Sequence, residues 1–275
     1  MFRRICSRLS NSQSSDCSFA VMDGCNVGVL RLHRAARKNA LGRDMLTALQ
    51  SIVSTAAADR NLRAFVVTSE VEGIFCAGAD LKERKEMPQE EVGLFVSNLR
   101  KLFSDLSDLP MPTLAAIEGA ALGGGLEMAL GLDIRIVGEA ATLGLPETKL
   151  AIIPGAGGTQ RLTRLVGYPR ASELIFTGRS VKGREAFQLG LATECCPVGC
   201  ALDRTLEMAR LMAENGPVAV RAAKRAMKAA VVTPEALAYG MEAERAAYQM
   251  VVPTQDRIEG LAAFAEKRKP KYQGK

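Results

Sequence analysis

The sequence contains a single histidine, His33, among its 275 residues. Ser-His-Asp and Cys-His catalysis both use an imidazole as the base, so either mechanism would require His33 to meet a nucleophile. Seven cysteines are present, but no Cys-x-x-Cys pair occurs, and the cluster at Cys195, Cys196 and Cys200 has no nearby histidine. We therefore expect free thiols and no metal site.

Long apolar runs are also missing. No stretch reaches the roughly eighteen consecutive apolar residues that a membrane-spanning helix needs. The sequence therefore predicts no membrane span. The hydrophobic content of 48% suits one globular domain with a sizeable core.

The formal net charge of +6 is concentrated at the two ends of the chain. Residues 1–18 carry three basic residues and one acid, and residues 267–275 carry five basic residues and no acid. The remainder holds 28 basic against 29 acidic residues, a net charge of −1. A basic tail can bind a compact polyphosphate, but this distribution gives no support for a broad nucleic-acid surface.

Residues 1–18 are rich in arginine and serine, and Asp16 is their only acid. This composition is typical of a transit peptide, so we predict a mitochondrial location. The alternative is a tail without a function. The folded chain is expected to begin at Phe19.

Hydrophobic periodicity predicts a β-hairpin of residues 19–32 around the Asp23-Gly24 turn. Strands are expected at 64–68, 113–117, 134–137 and 141–145, and helices at 43–57 and 90–109. The Gly119–Gly125 stretch is interpreted as a turn that enters a helix. After Arg170 the pattern is mainly helical, with helices predicted at 203–214, 217–230, 234–250 and 255–267. The prediction is an α/β domain over 19–200 and a helical region over 201–275.

Three segments rich in small residues are candidates for chemistry: residues 75–83, 121–127 and 144–161. Gly123, Gly124 and Gly125 expose backbone N–H groups at the start of a helix, where the dipole is positive. Two such segments facing each other could hold a developing oxyanion, with Glu127 close by. Taken singly, each glycine run could be only a turn or cap, and Glu147 only a surface residue. The pattern is neither a phosphate-binding P-loop nor a good dinucleotide fingerprint.

Together the stretches A-G-A-D-L-K-E-R, A-L-G-G-G-L-E-M-A and P-E-T-K-L-A-I-I-P-G-A-G-G-T-Q-R-L resemble the enoyl-CoA hydratase/isomerase (crotonase) superfamily. The resemblance extends from about residue 19 to the C-terminus. It is closest to the methylglutaconyl-CoA hydratase branch, which includes AU-rich-RNA-binding enoyl-CoA hydratase. The resemblance implies an α/β fold, a crotonase-like spiral of ββα units. It also implies a C-terminal helical region that builds trimers or hexamers.

The resemblance also implies roles for individual residues. Glu127 and Glu147 would be the catalytic carboxylates, the N–H groups of Ala79 and Gly124 the oxyanion hole, and the N–H of Gly155 a ligand of the attacking water. The implied CoA contacts are Lys38, Ala40, Ala77, Leu81, Phe264 and Lys267. CoA is then part of the substrate, and no separate cofactor is expected.

Physical chemistry agrees with these roles. Adding water to a conjugated thioester develops charge on its carbonyl oxygen, and each fixed donor there is worth about 3–4 kcal/mol. One ionised and one protonated carboxyl can activate the water and supply the proton. We assign Glu147 as the base and Glu127 as its partner, which holds the water and shares the proton work.

Several alternatives to a methylglutaconyl-CoA hydratase of leucine degradation remain open. One is a broad-specificity enoyl-CoA hydratase of fatty acid β-oxidation, because the acyl specificity cannot be interpreted from the sequence. Another is an RNA-binding protein, although residues 38–60 carry few of the cations that phosphate tracking needs. A non-catalytic scaffold is the third, and retention of both acids argues against it.

Overall fold

The structure is a computed structural model that describes residues 14–215, 217–231, 249 and 252–268. Most of the expected transit peptide, most of the helix predicted at 234–250, and the basic residues Lys269, Lys271 and Lys275 lie outside these ranges.

Within the described residues the strands form two sheets. Their bounds are β1 (Cys17–Met22), β2 (Val27–Leu32), β3 (Ala64–Ser69), β4 (Ile74–Cys76), β5 (Thr113–Ile117), β6 (Ala120–Leu122), β7 (Ile134–Gly138), β8 (Thr142–Gly144), β9 (Ser180–Lys182) and β10 (Glu194–Cys196). The larger sheet has the order β1-β2-β3-β5-β7-β10, and the smaller has the order β4-β6-β8-β9. From β3 onwards, each successive pair of strands (β3/β4, β5/β6 and β7/β8) places one strand in each sheet. This is the spiral of strand–strand–helix turns that was expected.

The described helices connect and cover the sheets. They are α1 (Arg43–Ala58), α2 (Leu81–Glu86), α3 (Gln89–Asp108), α4 (Gly124–Leu130), α5 (Gly158–Val166), α6 (Tyr168–Thr177), α7 (Gly183–Gln188), α8 (Ala201–Ala213), α9 (Pro217–Val231) and α10 (Gln255–Ala265). Short 3-10 turns occur at Ala35–Arg37 and Glu147–Leu150. Among the described helices, none is long and apolar enough to cross a membrane.

The larger sheet is buried on both faces, and β3 shows this most clearly. Phe65 and Val67 face the main core beneath α1 and α3, and Phe65 stacks on Phe19 with ring centroids 5.5 Å apart. Ala64 and Val66 face Leu206 and its neighbours on α8. A strand covered on both sides becomes a continuous apolar run, as the sequence of β3 does.

The predicted start of the folded chain differs from the structure. β1 begins at Cys17, whose side chain is fully buried, and Asp16 forms an ion pair with Arg34 at 3.1 Å. The folded chain therefore starts inside the stretch assigned to the transit peptide. α8, the first helix of the region predicted at 201–275, covers one face of the larger sheet.

The stretch Gly119–Gly125 is not only a turn, because β6 occupies its centre. A strand of three residues is too short to show periodicity, so the sequence pattern could not reveal it. β4, β6 and β8 pair in parallel, in that order. This arrangement determines where the candidate site forms.

Asn39 joins the loop after β2 to the strand β4. It adopts a left-handed conformation with φ of 54°, which asparagine tolerates better than most residues. Its Oδ1 accepts from the Arg34 N–H at 2.8 Å, and its Nδ2 donates to Ser69 Oγ at 2.8 Å and to the Phe75 carbonyl at 2.9 Å. One fully buried side chain thus holds three segments together.

We expect Asn39→Ala to lower the free energy of unfolding by about 2–4 kcal/mol, because buried polar partners lose their hydrogen bonds. Asn61→Ala is the matched control. Its side chain is exposed, and a surface change of this kind stays within about 0.5 kcal/mol. Urea denaturation of both variants measures the difference, and equal stabilities would contradict the role given to Asn39.

Candidate active site

Three strands of the smaller sheet end next to one another, and each is followed at once by a candidate segment. β4 leads to Ala77–Asp80, β6 leads to Gly123–Glu127, and β8 leads to Leu145–Glu147. Because the strands are parallel neighbours, their carboxyl ends meet at the same edge of the sheet. The structure therefore brings the three segments together.

The segments after β4 and β6 approach so closely that only glycine fits at Gly78. A Cβ on Gly78 would lie 2.8 Å from the Leu122 carbonyl oxygen and 3.3 Å from the Gly124 nitrogen. A Cβ on Gly124 would lie 3.7 Å from the Ala79 nitrogen. The Ala79 and Gly124 N–H groups thus belong to facing segments of backbone.

Both N–H groups are available for a ligand. Gly124 is the first residue of α4, so its N–H has no partner within the helix. Ala79 and Leu41 form a parallel β-bridge, and the hydrogen bonds of this bridge involve backbone atoms of Gly78 and Asp80, the residues on either side of Ala79. Leu41 N donates to Gly78 O at 2.8 Å, and Asp80 N donates to Leu41 O at 3.0 Å. The Ala79 N–H therefore lies outside this pairing.

Glu127 lies in the first turn of α4 and is 4% exposed. Its Oε1 accepts hydrogen bonds from the N–H groups of Ala156 and Gly158, each at 2.8 Å. Gly158 is the first residue of α5, so the carboxylate also lies at the positive end of a helix. These contacts fix the orientation of the carboxylate.

Glu147 begins the 3-10 turn after β8 and is 9% exposed. Its Oε1 approaches Gly123, where a Cβ would lie only 3.0 Å away. The Glu127 N–H donates to the Gly123 carbonyl at 2.9 Å. Gly123 is therefore the point at which both acidic residues meet the glycine segment.

Gly155 is buried in the loop before α5. Its carbonyl accepts a hydrogen bond from Arg100 Nη2 at 2.6 Å, and the next carbonyl, of Ala156, accepts from Arg161 Nη1 at 3.0 Å. The sequence analysis assigned a role to neither arginine, although Arg161 ends the candidate segment 144–161. The only signal was the glycine run from Gly155 to Gly158, which marks a loop whose backbone contacts other groups.

The predicted CoA contacts fall into two groups. Lys38 and Ala40 lie in a loop that runs along the segment after β4, where the Ala77 N–H donates to the Lys38 carbonyl at 3.1 Å. Leu81 begins α2 beside them. The structure thus brings the first four of these residues together.

Phe264 lies in the last turn of α10, Lys267 lies in the turn just after the helix, and both are exposed. α10 packs on the turn that begins with Glu147, because a Cβ on Gly260 would lie 2.6 Å from the Leu150 carbonyl oxygen. Arg268, one of the basic residues near the C-terminus, forms ion pairs with Glu259 and Glu266, each at 2.6 Å.

Cys76 lies at the end of β4, but its thiol is a fully buried group of the hydrophobic core. Burial raises the pKa of the Cys76 thiol to about 12, and Sγ donates to the Asn39 carbonyl at 3.1 Å. The thiol therefore remains protonated at neutral pH. Among the described residues, no group of three or more His, Cys, Asp or Glu side chains could hold a metal ion.

This fold is that of a known class of proteins. The family model described as Enoyl-CoA hydratase/isomerase matches residues 23–275. The chain belongs to the enoyl-CoA hydratase/isomerase family.

Individual relatives show which members of the family this chain resembles. Probable enoyl-CoA hydratase 2, mitochondrial, of Arabidopsis thaliana is 51% identical over 92% of this chain and 84% of its own length. Methylglutaconyl-CoA hydratase, mitochondrial, of Homo sapiens is 47% identical over 90% of this chain and 73% of its own length. The crystal structure of enoyl-CoA hydratase from Bacillus anthracis has a TM-score of 0.77 and 45% identity, covering 95% of this chain and all of that one.

The packing of α4 against β4 generates a prediction. A Cβ on Gly125 would lie 2.2 Å from the Cys76 carbonyl oxygen, whereas a Cβ on Gly93 of α3 meets nothing within 4 Å. We expect Gly125→Ala to lower the free energy of unfolding by about 1–3 kcal/mol, because α4 must move off the strand.

Gly93→Ala is the matched control and should raise the free energy of unfolding by up to about 1 kcal/mol, since alanine favours the helix. Chemical denaturation of both variants measures the two signs. Stabilisation by Gly125→Ala would show that the close approach is not needed.

Proposed function

We propose that the chain adds water across the double bond of a 2-enoyl-CoA thioester, as an enoyl-CoA hydratase-type lyase. The observation that carries this proposal is the meeting of two buried acidic residues with two available backbone N–H groups at one sheet edge. Family membership supports it, and so do the hydratases among the relatives.

The thioester carbonyl would lie between the N–H groups of Ala79 and Gly124. As water adds to the β-carbon, negative charge develops on this oxygen, and two fixed donors stabilise it. Each is worth about 3–4 kcal/mol, because it needs no rearrangement during the reaction. The α4 dipole acts in the same direction as Gly124.

Glu147 would take the proton of the attacking water, and Glu127 would hold that water and share the proton work at the α-carbon. The Gly155 N–H would be a further ligand of the water. The firm orientation of Glu127 Oε1 by Ala156 and Gly158 suits a residue that positions a reactant. No step in this scheme calls for a separate cofactor.

The CoA moiety would lie along Lys38, Ala40, Ala77 and Leu81. Phe264 at the end of α10 and Lys267 just after it would contribute to the same ligand. The backbone hydrogen bond between the Lys38 loop and the Ala77 segment makes a preformed surface for CoA. The charged Lys38 and Lys267 side chains are exposed and suit the phosphates.

The acyl group that we propose is 3-methylglutaconyl, which belongs to leucine degradation. The similarity to human methylglutaconyl-CoA hydratase supports it. The second candidate, a broad-specificity hydratase of fatty acid β-oxidation, is supported by the similarity to the Arabidopsis protein.

A substrate panel tests both candidates. Purified protein is assayed on 3-methylglutaconyl-CoA and on crotonyl-CoA, and we expect the larger kcat/KM for 3-methylglutaconyl-CoA. The reverse order would favour the β-oxidation enzyme. Hydration of neither thioester would defeat the proposed function.

We expect Glu147→Gln to lower kcat by about 10²–10⁴-fold, because the shape is kept while the base is lost. Glu72→Gln is the control, since Glu72 is exposed. Steady-state kinetics and thermal unfolding are measured together. Wild-type turnover in a folded Glu147→Gln protein would remove Glu147 from the mechanism.

RNA binding is not the function that we favour. The only cation of α1 is Arg43, which forms ion pairs with Glu83 and Glu91. A helix that follows phosphates needs several cations on one face. Salt-sensitive binding of AU-rich RNA at sub-micromolar concentration would show otherwise.

We further propose a mitochondrial location and assembly into trimers or hexamers through the helical region. Mitochondrial proteins among the relatives support the location. The location is tested by fusing residues 1–18 to a reporter protein and measuring its import into isolated mitochondria. The assembly is tested by measuring the mass of the purified protein in solution.

A further inference from the structure

A single peptide group lies between a cation and the Glu127 carboxylate. Arg100 Nη2 donates to the Gly155 carbonyl at 2.6 Å. The same peptide group carries the Ala156 N–H, which donates to Glu127 Oε1 at 2.8 Å. The guanidinium of α3 and the carboxylate of α4 are therefore connected through one C=O and one N–H.

We propose that Arg100 is a positioning residue for Glu127, which acts through the peptide group that joins Gly155 to Ala156. This inference rests on the proposed hydration, because Glu127 is assigned a role there. Arg100 itself touches neither substrate nor reacting atoms in this scheme.

The physical basis is polarisation along a hydrogen-bonded chain. A cation at a carbonyl draws electron density towards the oxygen and makes the N–H of that peptide a stronger donor. A stronger donor holds the Glu127 carboxyl oxygen more firmly in the orientation that binds the attacking water. Because the linkage is a rigid planar peptide, the effect is also geometric. A shift of the Gly155 carbonyl moves the Ala156 N–H with it.

Arg100 is suited to this position. Its planar guanidinium directs an N–H donor at the Gly155 carbonyl. The next residue, Lys101, is exposed and pairs with Asp105 at 2.7 Å. The two adjacent cations of α3 therefore make different contacts. Arg100 reaches the loop before α5, whereas Lys101 remains in solvent.

Other charged or titratable groups also face α4 from its neighbours. Glu147 approaches Gly123, Arg161 donates to the Ala156 carbonyl, and the Cys76 thiol on β4 is neutral. Arg135 donates to the Ala129 and Leu132 carbonyls at the opposite end of the helix. Arg161 binds the neighbouring carbonyl, so it supports the same loop. Arg100, by contrast, binds the Gly155 carbonyl, which belongs to the peptide group that carries the Ala156 N–H.

The test compares Arg100→Gln with Lys101→Gln, which removes the same charge one residue away. We expect Arg100→Gln to lower kcat about tenfold with little change in KM, because the CoA contacts are untouched. Its pH–rate profile should move about half a unit or more to higher pH, since a carboxylate with a weaker donor keeps its proton longer. Lys101→Gln should match the wild type in both.

A second arm separates positioning from loss of structure. Combined with Glu127→Gln, the Arg100→Gln change should reduce kcat by less than about twofold, because its target is already absent. Arg100→Lys should lie between the wild type and Arg100→Gln in both kcat and profile. If Arg100→Gln does not fold, Arg100→Lys decides, and a wild-type profile there would overturn the proposal.

The outcomes are distinguishable. A lower kcat with an unmoved profile, or the same loss in the Glu127→Gln background, would show only a structural role and defeat the proposal. Lack of hydration by the wild type would defeat the proposed function instead. Arg100 is then still tested by infrared titration of the carboxyl band that Glu127→Gln abolishes. That band should titrate at higher pH in Arg100→Gln, and an unchanged midpoint would refute the inference.

Discussion

The parallel pairing of three short strands is the constraint on which the site depends. β4, β6 and β8 contribute only three residues each, yet their order and direction bring three separate stretches of chain to one edge. A parallel arrangement requires long crossover connections, and the helices and larger sheet supply them. The stability of the larger sheet therefore maintains the geometry of the smaller one.

The glycines at this edge allow neighbouring backbone segments to approach each other closely. Gly78 and Gly125 each leave room for a neighbouring backbone carbonyl, and in both cases a side chain would collide with it. The approach brings the start of α4 to within reach of the segment after β4. Donors for a carbonyl oxygen then come from the main chain, and among single replacements only proline deletes such a donor.

Much of the fold could be predicted from the sequence, because long periodic elements identify themselves. The strand Thr113–Ile117 and the helices α1, α3 and α9 agree with the prediction to within about two residues. The strands β4, β9 and β10 and the helices α6 and α7 were not anticipated. Most of these are too short for periodicity to show, and tertiary pairing forms them.

The acidic pair could be predicted from motifs that resemble a family, but the contacts that hold it could not. Nothing in the sequence links Arg100 to Gly155, because their contact depends on how α3 lies across the loop before α5. Similarly, the Ala156 and Gly158 N–H groups are backbone donors without a residue signature. The contacts of these two donors with Glu127 are visible only in three dimensions.

The packing of α10 on the turn that begins with Glu147 has a consequence for biosynthesis. Gly260 packs against the Leu150 carbonyl, so the support of that turn comes from a helix translated after β4, β6 and β8. The turn that holds Glu147 can gain this contact only once α10 has been synthesised.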